Sequence, residues 1–427
     1  MFNENWKDET ICIQGGYTPK SGEARILPIV QSTTYKYEDP DQVANLFDLK
    51  EEGFFYSRIG NPTVAGFEQK LTELEGGVGA VATASGQSAI TLAVLNICTK
   101  GDHIVASSNL YGGTFTLLSS TLNKLGIDVT LVSPDASREE ILNKCTDKTK
   151  LIYGETMANP SLNILDFDKF SSVAKEIGVP FIVDNTLMTS KLCKPLKHGA
   201  NIVVYSATKY IDGHATSVGG AIVDGGNFDW NNGKFKSLSE PDPTYHGTNF
   251  SESFKNAAYI VKLRVTLLRD FGACLSPFNA FLFNLGLETL HLRMERHSDN
   301  ALKLAKFLKD HPKVSWVNYP LLENNKNYDN AKKYLKYGAS GILTFGIKGN
   351  DDAAKVFTKN LSLAALVVHI GDARTSVIHP ASTTHRQLSE EQLISSGVPK
   401  DLVRVSVGIE NADDIIKDFD QALNNIK

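Results

Sequence analysis

The chain is poor in cysteine and has little imbalance of charge. Its five cysteines, Cys12, Cys98, Cys145, Cys193 and Cys274, are odd in number, widely scattered and contain no C-x-x-C pair. That pattern excludes a disulfide framework and a thiolate zinc site, and fits free thiols in a reducing compartment. Forty-four basic residues against 48 acidic ones leave a net charge of -4, which supplies no basic field for nucleic acid or an anionic membrane. No apolar run approaches the ~18 residues of a bilayer span. The start, Met1 to Asp8, is polar and acidic and lacks the apolar stretch of a secretory signal. Repeats and low-complexity segments are also missing. These absences give the expectation of a cytoplasmic protein with neither nucleic acid nor membrane as partner.

What is present is length and alternation. A chain of 427 residues is too long for one minimal core, so two domains and a short arm are expected. Residues 1–63 read as an extended arm, interrupted by Gly15-Gly16, Pro19, Pro28, Pro40 and Gly60-Asn61-Pro62. Residues 64–265 read as a large domain and 266–427 as a smaller α/β domain. In the large domain, apolar runs of strand length recur: Ala80–Ala84, Ile104–Ala106, Val129–Val132, Leu151–Tyr153, Phe181–Asp184 and Ile202–Tyr205. Helical patterns lie between most of them, at Val64–Glu75, Gly86–Cys98, Arg138–Cys145 and Asp168–Ile177. Such alternation predicts a mainly parallel sheet covered by helices on both faces, with ligands at the carboxyl ends of its strands. Farther on, a long helix is expected over Glu288–Asp310, with short strands at Ile342–Phe345 and Val403–Val407.

The chemistry concentrates at those strand ends. Ser206-Ala207-Thr208-Lys209 follows one strand and Asp184 ends another. A lone lysine is usually a solvated charge, but the hydroxyls of Ser206 and Thr208 before it and Gly213-His214 after it make a setting that partly desolvates the amine. Asp184-Asn185-Thr186 also admits a helix or turn cap as the lesser reading. Together, a nucleophilic lysine, hydroxyls for a phosphate and an acid for a ring nitrogen are what a pyridoxal phosphate enzyme needs. Ser85-Gly86-Gln87 is a strand-to-helix turn whose N–H groups suit a phosphate. Gly77-Val78-Gly79-Ala80-Val81-Ala82 mimics a dinucleotide fingerprint but precedes a strand instead of linking strand to helix. Tyr111 in Tyr111-Gly112-Gly113-Thr114 suits stacking on a planar ring, or simple loop packing. Arg58 in Tyr56-Ser57-Arg58 suits a phosphate or a structural contact. Arg404, set in a β-branched strand, needs an anionic partner, either a ligand carboxylate or an acidic side chain. His379-Pro380 to His385 lacks metal-ligand spacing, and no metal is expected.

In this order the motifs resemble those of the Cys/Met-metabolism family of pyridoxal phosphate enzymes, which have the aspartate aminotransferase (type I) fold. That fold implies a large, mainly parallel seven-stranded sheet domain and a smaller C-terminal α/β domain. The resemblance spans essentially the whole chain and includes Glu155 with Asn159-Pro160, His379-Pro380-Ala381-Ser382 and Arg404 to Glu410. It implies that Lys209 is the Schiff-base lysine and proton shuttle, that Asp184 pairs with the pyridine nitrogen and that Tyr111 stacks on the ring. It further implies that Gly86, Gln87, Ser206 and Thr208 hold the phosphate, joined by Tyr56 and Arg58 from a neighbouring subunit of a homotetramer. Asn159 would lie near the ring oxygen, and Arg404 would bind the substrate α-carboxylate. The insertion around Glu240-Pro241-Asp242-Pro243 and the run Ala257 to Lys262 are similar to those of the sulfhydrylase branch, which exchanges the acetate of O-acetylhomoserine for sulfide or methanethiol. Cystathionine γ-synthase and methionine or homocysteine γ-lyase are the neighbouring alternatives. Three positions depart from related enzymes: His369, where Ser or Asn is common; Arg374, where lyases often carry an acid; and Gly113, where methionine γ-lyases carry Cys.

Overall fold

In the computed structural model, which describes residues 6–349, 352–384, 386 and 398–426, two sheets divide the chain. Met1–Asn5, part of the polar start, and His385 lie outside these residues. The first sheet has seven strands: β1 (Gly79–Thr83), β2 (His103–Ser107), β3 (Asp128–Val132), β4 (Thr149–Glu155), β5 (Phe181–Asp184), β6 (Ile202–Ser206) and β7 (Gly220–Asp224). Their order is β1-β7-β6-β5-β4-β2-β3, parallel except that β7 runs against both its neighbours. Every residue of β2 and β7 is buried, as expected of strands covered on both faces, and this is why their sequences read as continuous apolar runs and not as alternation.

Topology gathers the site at one edge. Parallel β4, β5 and β6 end side by side at Glu155, Asp184 and Ser206, with Glu155 opposite Asp184 in the register. Antiparallel β7 starts where β6 ends, Gly220 facing both Ser206 and Thr83 of β1. The turn Ser85-Gly86 after β1 thereby arrives next to the end of β6.

Helix ends account for the differences from expectation. Asn61-Pro62 does not interrupt the chain; it opens the helix Pro62–Glu75, with the Asn61 side chain accepting the Thr63 N–H and proline in the first turn. The arm before it contains two short helices, Asp8–Gln14 and Pro40–Phe47. The helix from Gly86 stops at Leu95, not Cys98; the Lys262 ammonium takes the Asn96 carbonyl at 2.8 Å. The long C-terminal helix runs Leu290–Asp310, and residues before Thr289 belong to a separate helix, Pro277–Glu288. Arg293 makes the break, its guanidinium taking the Gly286 carbonyl at 2.6 Å and the Tyr210 carbonyl at 2.7 Å. No helix among the described residues is long and apolar enough to cross a membrane.

The second sheet contains β8 (Val314–Asn318), β9 (Ile342–Ile347), β10 (Ala365–Leu366), β11 (Ser376–Ile378) and β12 (Leu402–Ser406), in the order β10-β11-β12-β9-β8. Two hydrophobic cores underlie the sheets, and they change over within Leu290–Asp310. Leu290 and Met294 belong to the first core; Ala301, Leu304 and Leu308 belong to the second. Apolar packing on the first sheet therefore continues past residue 265, through Leu275, Phe283 and Leu287. In β12, Val403 and Val405 fill the second core, and strand alternation turns Arg404 and Ser406 the other way.

Asp418, buried on the C-terminal helix Ala412–Asn424, anchors the chain leading into β10. Its carboxylate accepts the N–H groups of Ser362, Leu363 and Ala364 and the Ser362 hydroxyl, at 2.8 to 3.1 Å. Burial pushes its pKa up, but the Ala364, Ser362 and Leu363 N–H groups outweigh that and hold it below 3.8. Asp418→Ala is expected to cost about 3 kcal/mol, read as a lower urea midpoint, because buried donors lose their acceptor. A depressed folded-state pKa contributes stability above the unfolded value of 3.8 and loses it as pH falls through the folded value. The gap between wild type and variant should hold near neutrality and close in acid.

Candidate active site

Lys209 sits one turn past β6, its loop held from both sides. Beneath it, Gly286 lets a helix approach so closely that a Cβ there would lie 2.2 Å from the Ile211 carbonyl. Above it, the Ala373 N–H donates to the Gly213 carbonyl at 2.9 Å, and the Gly341 N–H donates to the Tyr210 hydroxyl at 3.0 Å. The enclosure takes water from the amine: burial, and then the nearby Arg404 charge, lower the Lys209 pKa to about 8. His369 faces it, Nδ1 standing 3.4 Å from Nζ.

Two carboxyls lie at the ends of the neighbouring strands. Asp184 accepts the Thr186 N–H at 2.9 Å, so the turn-cap reading of Asp184-Asn185-Thr186 is realised as well. Glu155 accepts the Tyr111 N–H at 2.8 Å and so fixes where that tyrosine leaves its loop. Burial raises both carboxyl pKa values, and Glu155 rises further because Asp184 lies beside it. Behind Asp184, buried Asn185 bonds Thr156, Tyr205 and the Cys193 carbonyl, and Tyr205 in turn bonds Glu75.

The turn at Ser85 closes the third side. The Ser85 hydroxyl accepts the Ser88 N–H at 3.1 Å, whereas the N–H groups of Gly86 and Gln87 open the helix with no acceptor inside it. A Cβ on Gly86 would lie 2.6 Å from the Ser206 Cβ, so only glycine lets this turn meet the end of β6. The Thr208 hydroxyl is engaged with both the N–H and the carbonyl of Gly219, at 3.1 and 3.2 Å. Tyr111 is 53% exposed, leaving its ring free at the mouth, and Gln87 Nε2 and Tyr111 Cε1 each lie 2.7 Å from where a Cβ on Gly113 would be.

Arg404 enters from the second sheet. Its guanidinium reaches Asn159 Oδ1 at 3.4 Å and the Val368 carbonyl at 2.9 Å. No carboxylate among the described residues pairs with it, which removes the acidic-side-chain alternative there. Burial lowers its pKa to about 10, against the opposing pull of Tyr111 and Tyr210.

Tyr56 and Arg58 are not brought to this cluster. Arg58 donates to the Arg269 carbonyl and lies 5.2 Å over the Tyr56 ring, and both line a separate cavity of about 460 Å³ with Tyr35, Phe47 and Phe55. Arg374 turns outward onto Asp372 and the His214 carbonyl. The His379 ring is spent on Ser382 and the Lys400 carbonyl. The sequence reading missed Arg293, which carries no local signal. It also missed Gly219-Gly220, a doublet that could have marked the close approach of Gly220 to the Ser85 carbonyl, where a Cβ would sit 2.2 Å away.

Residues 9–424 match the model of the family described as Cys/Met metabolism PLP-dependent enzyme. The chain belongs to this Cys/Met-metabolism family. It is 52% identical to the O-acetyl-L-homoserine sulfhydrylase of Leptospira meyeri over 99% of this chain and 98% of that one. It is 47% identical to the homocysteine synthase of Schizosaccharomyces pombe over 97% of each. It also superposes on a Campylobacter jejuni crystal structure, assigned as an O-acetylhomoserine (thiol)-lyase, that carries N'-pyridoxyl-lysine-5'-monophosphate. That match has a TM-score of 0.94 and 39% identity, and covers 98% of this chain and all of that one. Membership makes the chain a pyridoxal phosphate-dependent enzyme.

The state of the Lys209 amine can be read directly. In cofactor-free protein, acylation of Lys209 mapped by peptide mass spectrometry should rise with a midpoint near pH 8, as for an amine already short of water. A midpoint near the ordinary 10.5 would show that the amine is solvated.

Proposed function

We propose that the chain replaces the acetate of O-acetyl-L-homoserine with sulfide, or with methanethiol, giving L-homocysteine, or methionine, and acetate. The observation that carries this reading is the Arg404 guanidinium, short of a carboxylate and close enough to Lys209 to lower its pKa. An α-amino acid fits between them, carboxylate on the guanidinium and amine toward the lysine. The nature of the leaving group and nucleophile is supported by the names of the Leptospira and Schizosaccharomyces relatives.

The residues fit pyridoxal phosphate. A glycine-only turn against Ser206 makes an anion cradle, and a buried carboxyl stands ready for a ring nitrogen. Lys209 would hold the aldehyde carbon, Asp184 the ring nitrogen and Tyr111 the ring face, with Asn159 near the ring oxygen. Gly86, Gln87, Ser206 and Thr208 would hold the phosphate, Thr208 by exchanging its bond to Gly219. Tyr56 and Arg58, apart from Lys209 within one chain, would reach that phosphate from a second copy, in a homotetramer built of such dimers. Five free cysteines support a cytoplasmic setting.

When bound, the group supplies a carbonyl that links to amines and a conjugated ring that takes up the charge left when a neighbouring C–H bond breaks. Arg404 orients the substrate by its carboxylate. Lys209 Nζ, deprotonated in an appreciable fraction near neutrality, would take the α-proton and then a β-proton, so that the electrons of the β C–H bond expel acetate from the γ-carbon, and would return protons to both carbons once sulfide has added there. Asp184 keeps a proton on the ring nitrogen by pairing with it. The Tyr111 hydroxyl holds a proton beside the departing acetate.

Purified holoenzyme given O-acetylhomoserine should release homocysteine and acetate in equal amounts only when sulfide is added. Ammonia and 2-oxobutyrate formed regardless of sulfide would replace this reading with elimination. Lys209→Ala should lower kcat by ~10³ or more and abolish the absorbance of the lysine-linked cofactor. Arg404→Ala should raise KM ~10- to 100-fold with a smaller effect on kcat, as expected for loss of a charge-assisted bond. An unchanged KM would remove Arg404 from the substrate site.

A further inference from the structure

The segment before Gly371 lays His369 against Lys209, with Nδ1 3.4 Å from Nζ. Where Lys209 donates at that distance, Nδ1 accepts and the neutral ring carries its proton on Nε2. That second nitrogen is buried with no hydrogen-bond partner among the described residues. A ring left half unsatisfied, when its other nitrogen faces the reactive amine, points to a role beyond packing. The backbone holds it in place: the Ser376 hydroxyl bonds the His369 carbonyl at 3.1 Å, and the Gly371 N–H bonds Ser406 Oγ at 2.9 Å.

Charged groups face the ring from three elements. Lys209 and Asp212 come from the chain after β6, Arg404 from β12 and Asp372 from the ring's own loop. Burial, and then the Lys209 charge, keep its pKa below the ordinary 6.5 against the pull of the two aspartates.

We propose that His369 is a positioning residue for Lys209 that makes turnover acid-sensitive: the neutral ring holds the lysine nitrogen through Nδ1, and the protonated ring releases and repels it. The inference rests on the reading of Lys209 as proton carrier. Once Nζ has taken the α-proton, one of its N–H bonds points to His369 Nδ1 while another stays aimed at the reacting carbon. No proton passes to the ring in that step. A proton arriving from solvent at Nδ1 occupies the lone pair, and Lys209 then faces a second positive charge beside that of Arg404.

Two substitutions separate the parts of this proposal. His369→Asn keeps an acceptor oxygen near the place of Nδ1 and cannot ionise; His369→Leu removes both properties. The readouts are the kcat and KM profiles against pH for homocysteine formation, and the absorbance titration of the lysine-linked cofactor. Wild type should show a fall in kcat below pH 6.5 with a component that His369→Asn lacks, while His369→Asn retains most of the activity at neutral pH. His369→Leu should lose ~10-fold or more in kcat with KM within about twofold, and its absorbance midpoint should move where that of His369→Asn does not. Wild-type kinetics and titration in His369→Leu would overturn the proposal, as would a raised KM with unchanged kcat, which would put the ring on the substrate. Should His369→Leu fail to fold, acid limbs that coincide in wild type and His369→Asn overturn it alone. If wild type makes no homocysteine at all, the proposed reaction falls, and the absorbance titrations still decide what His369 does to Lys209.

Discussion

Keeping one amine out of water at the end of a strand is the constraint around which much of the chain is arranged. Burying a cation costs more than most single contacts return, so the surroundings must be over-determined. Gly286 admits a helix against Ile211 and Asp212, Arg293 ties that helix to the Tyr210 carbonyl, and the chain through Ala373 closes from the other domain. Each contact fixes the backbone of the lysine loop and none touches the amine itself. The nitrogen is left to the few groups that govern its charge.

Those groups are sorted by sign. Arg404 and Lys209 are close enough for their charges to interact, while Asp184 and Glu155 lie side by side at the ends of neighbouring strands. The carboxyls are raised by burial and by each other, and the cations are lowered by burial, so every member is displaced toward neutrality. A ligand that brings a carboxylate to Arg404 and a basic ring nitrogen to Asp184 relieves both strains at once. The proposed site thus suits a partner that carries both signs, not one of a single sign.

Much of this was legible in the sequence, for reasons that differ by residue. Strands buried on both faces announce themselves as β-branched runs, and residues at their ends inherit a shared address from the parallel topology. Lys209, Asp184 and Ser206 can therefore be grouped from the sequence alone. Gly86 was legible as a turn, but the reason it must be glycine lies 120 positions away, in the Ser206 Cβ. The break at Thr289 was not legible, because a guanidinium belonging to Arg293 causes it and Arg293 looks like any helical surface arginine. The contact between His369 and Lys209 spans 160 positions and leaves no periodic trace. Tyr56 and Arg58 were recognisable as a motif, yet a single chain sets them beside their own aromatic cavity and not beside Lys209.

Strand alternation in β12 has one more consequence. Arg404 is rooted in the second sheet, whereas Lys209 and Asp184 hang from the first, and the two cores change over inside one helix. The span from guanidinium to amine is therefore a gauge set by how two bodies seat on each other, through the bond from Gly341 to the Tyr210 hydroxyl and the crossing at Gly213. In the proposed site, residues of that seam would set the distance between carboxylate anchor and amine without being among the reacting groups. Variation there is a route by which relatives sharing all the reacting groups can come to prefer shorter or longer amino acids.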